Sequence, residues 1–282
     1  MAVVLGLAAA LVYGAADFTG GVAAKRTPAM AVVALSQLAG LVVLLIALPL
    51  LGTPAPPAGD LAVGAAAGIA GGTGVTLLYR GLAIGRMSVV APITAVGAAC
   101  LPVAVGLLRG ERPGVLALAG VAVALVAVVA VSMSAAPGGT AVRTGGAPLG
   151  LVEAILAGLA FGAFFVILSG VSEEAGTWPL LAGRTSSVLV VGVAALVTRT
   201  PLRPAQSELP RIALAGVLDM GANVLYVLAV QVGLLSLVGV LVSLYPASTV
   251  LLARLTLGER MGRLQVAGVA LAVTGAALIA LG

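Results

Sequence analysis

Three carboxylates and two arginines stand inside long apolar runs: Asp17, Glu153 and Asp219, with Arg80 and Arg184. In a bilayer such a group costs roughly 2.5–3.5 kcal/mol at the centre, so each needs a partner or a task. A carboxylate in that setting can take up and release a proton or pair with a cation in a pathway. An arginine can hold an anion, or snorkel to the interface when it sits near a helix end. Asn223 follows Asp219 by four residues, on the same face of a helix. Tyr13, Tyr79, Phe161, Tyr226 and Tyr245 are the candidate cavity aromatics, with packing or interface anchoring as the alternative for any one of them. Gln37 and Gln231 add uncharged polar groups.

The elements that must carry these residues follow from composition. Of 282 residues, 61% are hydrophobic and 8% charged. A soluble domain carries about 25% charged residues, so most of this surface must face lipid. A net charge of +5, dispersed between apolar runs, acts as a topology signal and gives no nucleic-acid footprint. Histidine is absent and Cys100 is alone. The usual general base, the commonest metal ligand and any intramolecular disulfide are therefore missing, and neither an enzyme nor a metal or cofactor site is expected. No Walker A sequence is present, which excludes direct use of ATP by this chain. The opening "MAVVLGLAAALVYGAADFTGG" lacks a basic stretch and reads as a first membrane helix.

A spanning helix needs about 20 apolar residues. Breaks at Pro, Gly and charge yield ten runs: 3–24, 29–51, 61–84, 88–108, 114–133, 149–170, 179–198, 210–230, 234–255 and 262–281. The longest break, 134–148, divides them five and five. The turn "GERPGVLALAGVAVA" from Gly110 returns as "GERMGRLQVAGVALA" from Gly258, 148 residues later. The same offset places Gly14 on Gly162, Tyr13 on Phe161, Gly68 on Gly216, and Gly85 and Ser88 on Gly233 and Ser236. The expected organisation is therefore a first five-helix repeat over 1–133, a connecting loop over 134–148 and a second repeat over 149–282. An odd number of crossings inserts the second copy upside down. The fold class is all-α membrane protein, with ten transmembrane helices as two inverted five-helix repeats, an arrangement suited to alternating access.

Glu111 in the repeated Gly-Glu-Arg precedes the fifth span, where an acid complements a helix N-terminus. Small residues at helical spacing, Gly64-x-x-x-Gly68-x-x-x-Gly72 and Gly158-x-x-x-Gly162, allow close helix approach. Pro92 and Pro102 are expected to interrupt the fourth span and Pro246 its partner, the ninth, as hinges or cavity-lining kinks. Asp17 and Arg80 lie toward the same end of parallel spans, and Glu153 begins the sixth span there. The three are expected to share one polar cluster, with Arg184 nearer the opposite side.

The duplicated turns "LLRGERPGVLALAGVAVA" and "LTLGERMGRLQVAGVALA", with "SLYPASTVLLARL" before the second, carry a resemblance. The chain resembles ten-helix EamA-type permeases of the drug/metabolite transporter superfamily along essentially its whole length. Tyr13-Gly14 and Phe161-Gly162 stand where many members have Trp-Gly. The resemblance implies a secondary transporter for amino acids, metabolites or drugs, often driven by an ion gradient. The expected function is export of a small organic solute, with proton coupling left open. A non-transporting membrane scaffold or lipid-handling protein is the alternative, and it needs no hydrophilic cavity. The partners are a small-molecule substrate, the lipid of the cell (plasma or inner) membrane, and a proton or other coupling ion; a homodimer stays open. Arg109 and Arg112 lie on the side of the termini. Lys25, Arg26, Arg86, Arg143, Arg199, Arg203, Arg260 and Arg263 lie on the other. That charge count puts the termini outside, whereas the resemblance implies cytoplasmic termini.

Overall fold

Helices that are apolar all round have no water-facing side, so they are stable only where lipid or protein surrounds them. A computed structural model describes residues 1–24, 26–51, 56–84, 87–132, 150–257 and 262–282, and among them it shows helices and no strand. The helices are α1 (Ala2–Ala24), α2 (Ala29–Leu51), α3 (Ala58–Ile84), α4 (Met87–Leu108), α5 (Val115–Ser132), α6 (Leu151–Leu168), α7 (Trp178–Val197), α8 (Leu209–Gln231), α9 (Leu235–Val242), α10 (Tyr245–Leu257) and α11 (Arg263–Leu281). Eight stretches among the described residues are long and apolar enough to cross a bilayer, and α4 and α5 supply two shorter apolar helices. The ninth span is α9 followed by α10, so the helices make ten crossings, each starting and ending within three residues of its expected limits. The expected connecting loop, 134–148, lies outside the described residues.

α1 turns most of its small residues inward. The buried face of α1 is Gly6, Ala9, Ala10, Gly14, Ala16, Gly20 and Ala23, while Val4 and Leu11 point outward. Lipid gives no hydrophobic drive for helix association, so close backbone contact supplies much of the attraction. The Gly64, Gly68 and Gly72 stripe is the α3–α7 seam. A Cβ added at Gly64 would strike the Pro179 carbonyl, and one at Gly68 the Gly183 carbonyl. Gly158 and Gly162 make the corresponding seam with Gly97 and Leu101 of α4.

Packing pairs the two halves reciprocally. α1 lies mainly against α8, as α6 lies against α3; α4 packs on α6, as α9 and α10 pack on α1. α5 and α11 pack on each other. Two bundles result, one of α3, α4, α6 and α7 and one of α1, α8, α9 and α10, with α2 against both α8 and α7.

Two sequence expectations change. Pro92 and Pro102 do not interrupt α4, which runs from Met87 to Leu108 as one helix. The Pro92 side chain lies outside the described residues. The Pro102 ring is buried against α9, where a Cβ on Gly239 would sit 2.5 Å from the Pro102 Cβ. Pro246 does break its span, at Ser243 and Leu244. It has no N–H for the Val242 carbonyl, and the chain turns through Leu244 N–H to the Leu241 carbonyl (3.2 Å) and Ala247 N–H to the Leu244 carbonyl (2.9 Å). Secondly, Glu111 does not serve the helix immediately after it. Its Oε1 accepts the Leu235 N–H (2.7 Å) and its Oε2 the Ser236 N–H (3.0 Å), which caps α9 in the other half of the chain.

Candidate functional site: a charged cleft between the bundles

A cleft of about 1030 Å³ of empty space, its open mouth included, lies between the two bundles. Tyr13 and Asp17 reach it from α1, Gln37 from α2, and Gly68, Gly71 and Val75 from α3. α6 supplies Phe161, Phe164 and Phe165, α7 supplies Arg184, α8 supplies Asp219 and Asn223, and α10 supplies Tyr245. Glycine at 64, 68 and 183 draws α7 onto α3 so closely that the α7 face bearing Arg184 is turned toward α2 and α8. A Cβ built on Gly40 of α2 would lie 3.3 Å from the Arg184 Cζ, so glycine there lets the guanidinium lie close against α2.

Arg184 Nη2 donates to Asp219 Oδ2 in a short ion pair that joins the two bundles. The arginine side chain is 6% exposed and the aspartate 35%. Asn223 Nδ2 holds the same acid, donating to the Asp219 carbonyl (2.7 Å) and to Oδ2 (3.4 Å). Asp17 is open to the cleft, and among the described residues no hydrogen bond or ion pair reaches it. The Gln37 Oε1 and the Tyr13 hydroxyl are buried without a hydrogen-bond partner there. A buried polar atom left unpaired is costly, so both are ready acceptors for a donor entering the cleft. The opposite wall is apolar, made of Phe161, Phe164, Phe165, Gly71 and Val75.

Seven residues expected at a site meet in this cleft: Tyr13, Asp17, Phe161, Arg184, Asp219, Asn223 and Tyr245. The expected trio of Asp17, Arg80 and Glu153 does not form. Arg80 pairs with Glu153 at 3.4 Å and is 72% exposed, away from the cleft. Asp17 is carried by α1, which packs on α8, α9 and α10, across the cleft from α3 and α6. Tyr226 is a packing residue: fully buried, its ring lies tilted against Phe165 with centroids 4.7 Å apart, and its hydroxyl donates to the Phe165 carbonyl (2.5 Å). The Tyr79 side chain lies outside the described residues. Phe164 and Phe165 escaped the sequence reading. Their signal was the spacing Phe161-x-x-Phe164, which puts two rings on one helix face.

The hydrogen bonds that join the bundles elsewhere gather at the end where α1 begins: Tyr226 to Phe165, and Glu111 to the start of α9. The Asp60 carboxylate, at that same end, accepts the Ser172 N–H (3.1 Å) and hydroxyl (2.9 Å) within one bundle.

A family profile described as "EamA-like transporter family" matches residues 1–133 and again 148–281. The chain belongs to the EamA-like transporter family. This EamA-like protein is a multi-pass membrane protein. It is similar to a protein of Streptantibioticus cattleyicolor described as a "Probable terminal-alkyne amino-acid exporter", with 40% identity over 102 residues. That alignment spans 34% of this chain and 33% of the relative. A crystal structure described as "Crystal structure of protein" shares the fold with a TM-score of 0.80 and 19% identity, covering 99% of this chain and 98% of that one.

Proposed function

We propose that this EamA-like protein is a secondary exporter, in the cell (plasma or inner) membrane, of a small amino acid with an apolar side chain. The observation that carries the reading is the division of the cleft. Asp17, Asp219, Gln37 and Arg184 offer both signs of charge, and the Phe161, Phe164 and Phe165 wall offers an apolar surface. A zwitterion bearing a short hydrocarbon chain satisfies both at once. Two carboxylates against one guanidinium leave one acid over for the substrate ammonium, and Asp17 is the acid without an ion pair. The name of the S. cattleyicolor relative supports the amino-acid class. A scaffold or lipid-handling protein has no use for a charged cleft at this depth.

Transport proceeds by alternating access between the two bundles, with Asp17 exchanging a proton for the substrate. The test is uptake into proteoliposomes carrying an imposed pH gradient, with a panel of neutral α-amino acids from alanine to phenylalanine. The wild-type protein accumulates at least one of them, and Asp17→Asn loses gradient-driven accumulation while keeping its elution profile in detergent. Equal accumulation by Asp17→Asn removes Asp17 from the coupling step.

A further inference from the structure

The Arg184–Asp219 pair has a geometry that a purely structural ion pair does not need. It ties α7 of one bundle to α8 of the other across the cleft, and the cleft reaches the acid far more than the arginine. A ligand carboxylate entering the cleft therefore meets a guanidinium whose Nη2 is already taken by Asp219. The contact is also incomplete. One nitrogen, Nη2, meets one oxygen, Oδ2, although a guanidinium can bind a carboxylate through two parallel N–H bonds. Among the described residues no other hydrogen-bond acceptor holds Arg184. A buried arginine stripped of its counter-charge is strongly unfavourable. The empty carrier needs some carboxylate there, and Asp219 is the one the fold provides.

We infer that Asp219 is an internal stand-in for the substrate carboxylate: the two compete for Arg184, and binding swaps one for the other. The inference rests on the amino-acid reading above. On binding, the substrate carboxylate takes Arg184 through both oxygens. Asp219 swings off, still held by Asn223 Nδ2, and faces the substrate ammonium together with Asp17. With an amino acid bound, neither Arg184 nor Asp219 is left without a counter-charge, and the tie between bundles is replaced by one that runs through the substrate. A ligand without a carboxylate leaves the Arg184–Asp219 tie closed. Arg184 is thus the specificity-determining group, and Asp219 is a positioning residue that acts through it.

The test is equilibrium binding to the purified full chain in detergent, read as thermal stabilisation and by microcalorimetry. Norvaline, butylamine (its decarboxylated analogue) and valerate (its deaminated analogue) are the probes, with the panel amino acid that binds best. Removing the competitor should help only ligands that carry a carboxylate. In Asp219→Asn, norvaline and valerate should bind roughly tenfold tighter, and butylamine no tighter than to wild type. In Arg184→Gln, norvaline and valerate should weaken at least about tenfold while butylamine is kept. Asp219→Glu retains the competing charge and should leave the ranking of the three probes as in wild type. If Asp219→Asn proves too unstable to purify, the neutral pair Arg184→Gln/Asp219→Asn removes the unpaired charge. It should fold, lose norvaline and keep butylamine.

A folded Asp219→Asn protein that binds norvaline more weakly than wild type, or equally, overturns the competition. So does an Arg184→Gln protein that loses norvaline and butylamine alike, or a double variant that still binds norvaline as wild type does. A wild-type protein that binds no amino acid of the panel fails at an earlier step. It overturns the amino-acid reading, and the stand-in role falls with it.

Discussion

Glu111 supplies a perturbation whose size can be worked from the structure. Its two carboxylate oxygens accept the N–H groups of Leu235 and Ser236, two of the donors that the first turn of α9 leaves without intrahelical partners. Gly110, at φ 89°, turns the chain, and Glu111 N–H bonds the Gly106 carbonyl (3.0 Å), so the backbone beneath the carboxylate is fixed. Gly106 also makes the room: a Cβ there would collide with Glu111 Oε2 and sit 2.9 Å from its Cδ. A hydrogen bond to a charged acceptor contributes about 1.5–3 kcal/mol. Glu111→Gln keeps one accepting oxygen, so it forfeits one bond and the charge–dipole attraction, about 2 kcal/mol together. Glu111→Ala forfeits both bonds, about 3–4 kcal/mol. With roughly 2–4 °C of melting temperature per kcal/mol in chains of this size, the expected losses are about 4–8 °C and about 10 °C. Glu111→Asp is the discriminating variant. It keeps the charge but falls short by one methylene, about 1.5 Å, so it should melt with the alanine variant. Gly106→Ala should act like Glu111→Gln by displacing the carboxylate. The assay is thermal unfolding in detergent, read by the loss of the monodisperse peak. If Glu111→Gln and Glu111→Asp both melt within about 1 °C of wild type, the cap contributes nothing and the argument from donor satisfaction is wrong.

Gly68→Ala should prevent the α3–α7 seam from closing, because its Cβ would collide with the Gly183 carbonyl and Ser186 Oγ; yield of monodisperse protein should fall sharply. Gly192→Ala on α7 meets nothing within 4 Å and should be neutral or stabilising by up to about 1 kcal/mol in the same assay. Glu208 is fully buried at the start of α8, with Oε2 accepting from Arg211 Nη1 at 2.7 Å and Oε1 lying 3.7 Å from Arg26 Nη1. Glu208→Gln should cost only about 1–2 kcal/mol, since both arginines reach water and the amide oxygen can keep one of the contacts; unfolding in detergent measures it.

The ten crossings were legible because bilayer thickness fixes a run length that Pro, Gly and charge punctuate visibly. The glycine stripe at 64, 68 and 72 was legible as a packing surface, though not as the partner of α7, because small-residue spacing says how close a neighbour comes and not which one comes. The same gap explains Asp17. Equal depth placed it with Arg80 and Glu153, but adjacency depends on which helix faces meet, and α1 faces α8. The position of Arg184 early in α7 points to the other side, yet its long side chain reaches Asp219 near the middle of α8. In sequence Glu111 stands before the fifth span; the helix it caps begins at Leu235. Proline marked a break at residue 246 and not at 102, since the neighbouring helix decides whether a lost hydrogen bond opens the span or leaves it continuous.

The repeat register explains how the cleft came to have two unlike faces. Shifted by 148 residues, Asp17 corresponds to Phe165, Asp219 to Gly71, Asn223 to Val75 and Tyr13 to Phe161. All eight line the cleft. Equivalent positions in the two halves therefore look into the same space, as a two-fold relation between the bundles requires. The polar member of each unlike pair sits on α1 or α8, and the apolar member on α6 or α3. These are the two helix pairs that the two-fold exchanges. The repeat builds two like shells of helices around the cleft, while side-chain divergence gives one shell the charges and the other the rings. A ligand with a charged head and a hydrocarbon tail touches both shells in a single orientation. Arg184 departs from the pattern by bringing charge from the apolar shell, and its counterpart Ser36 is not among the cleft residues. Among the described residues the one cation in the cleft thus comes from the bundle opposite the acids, where pairing with it necessarily links the two bundles.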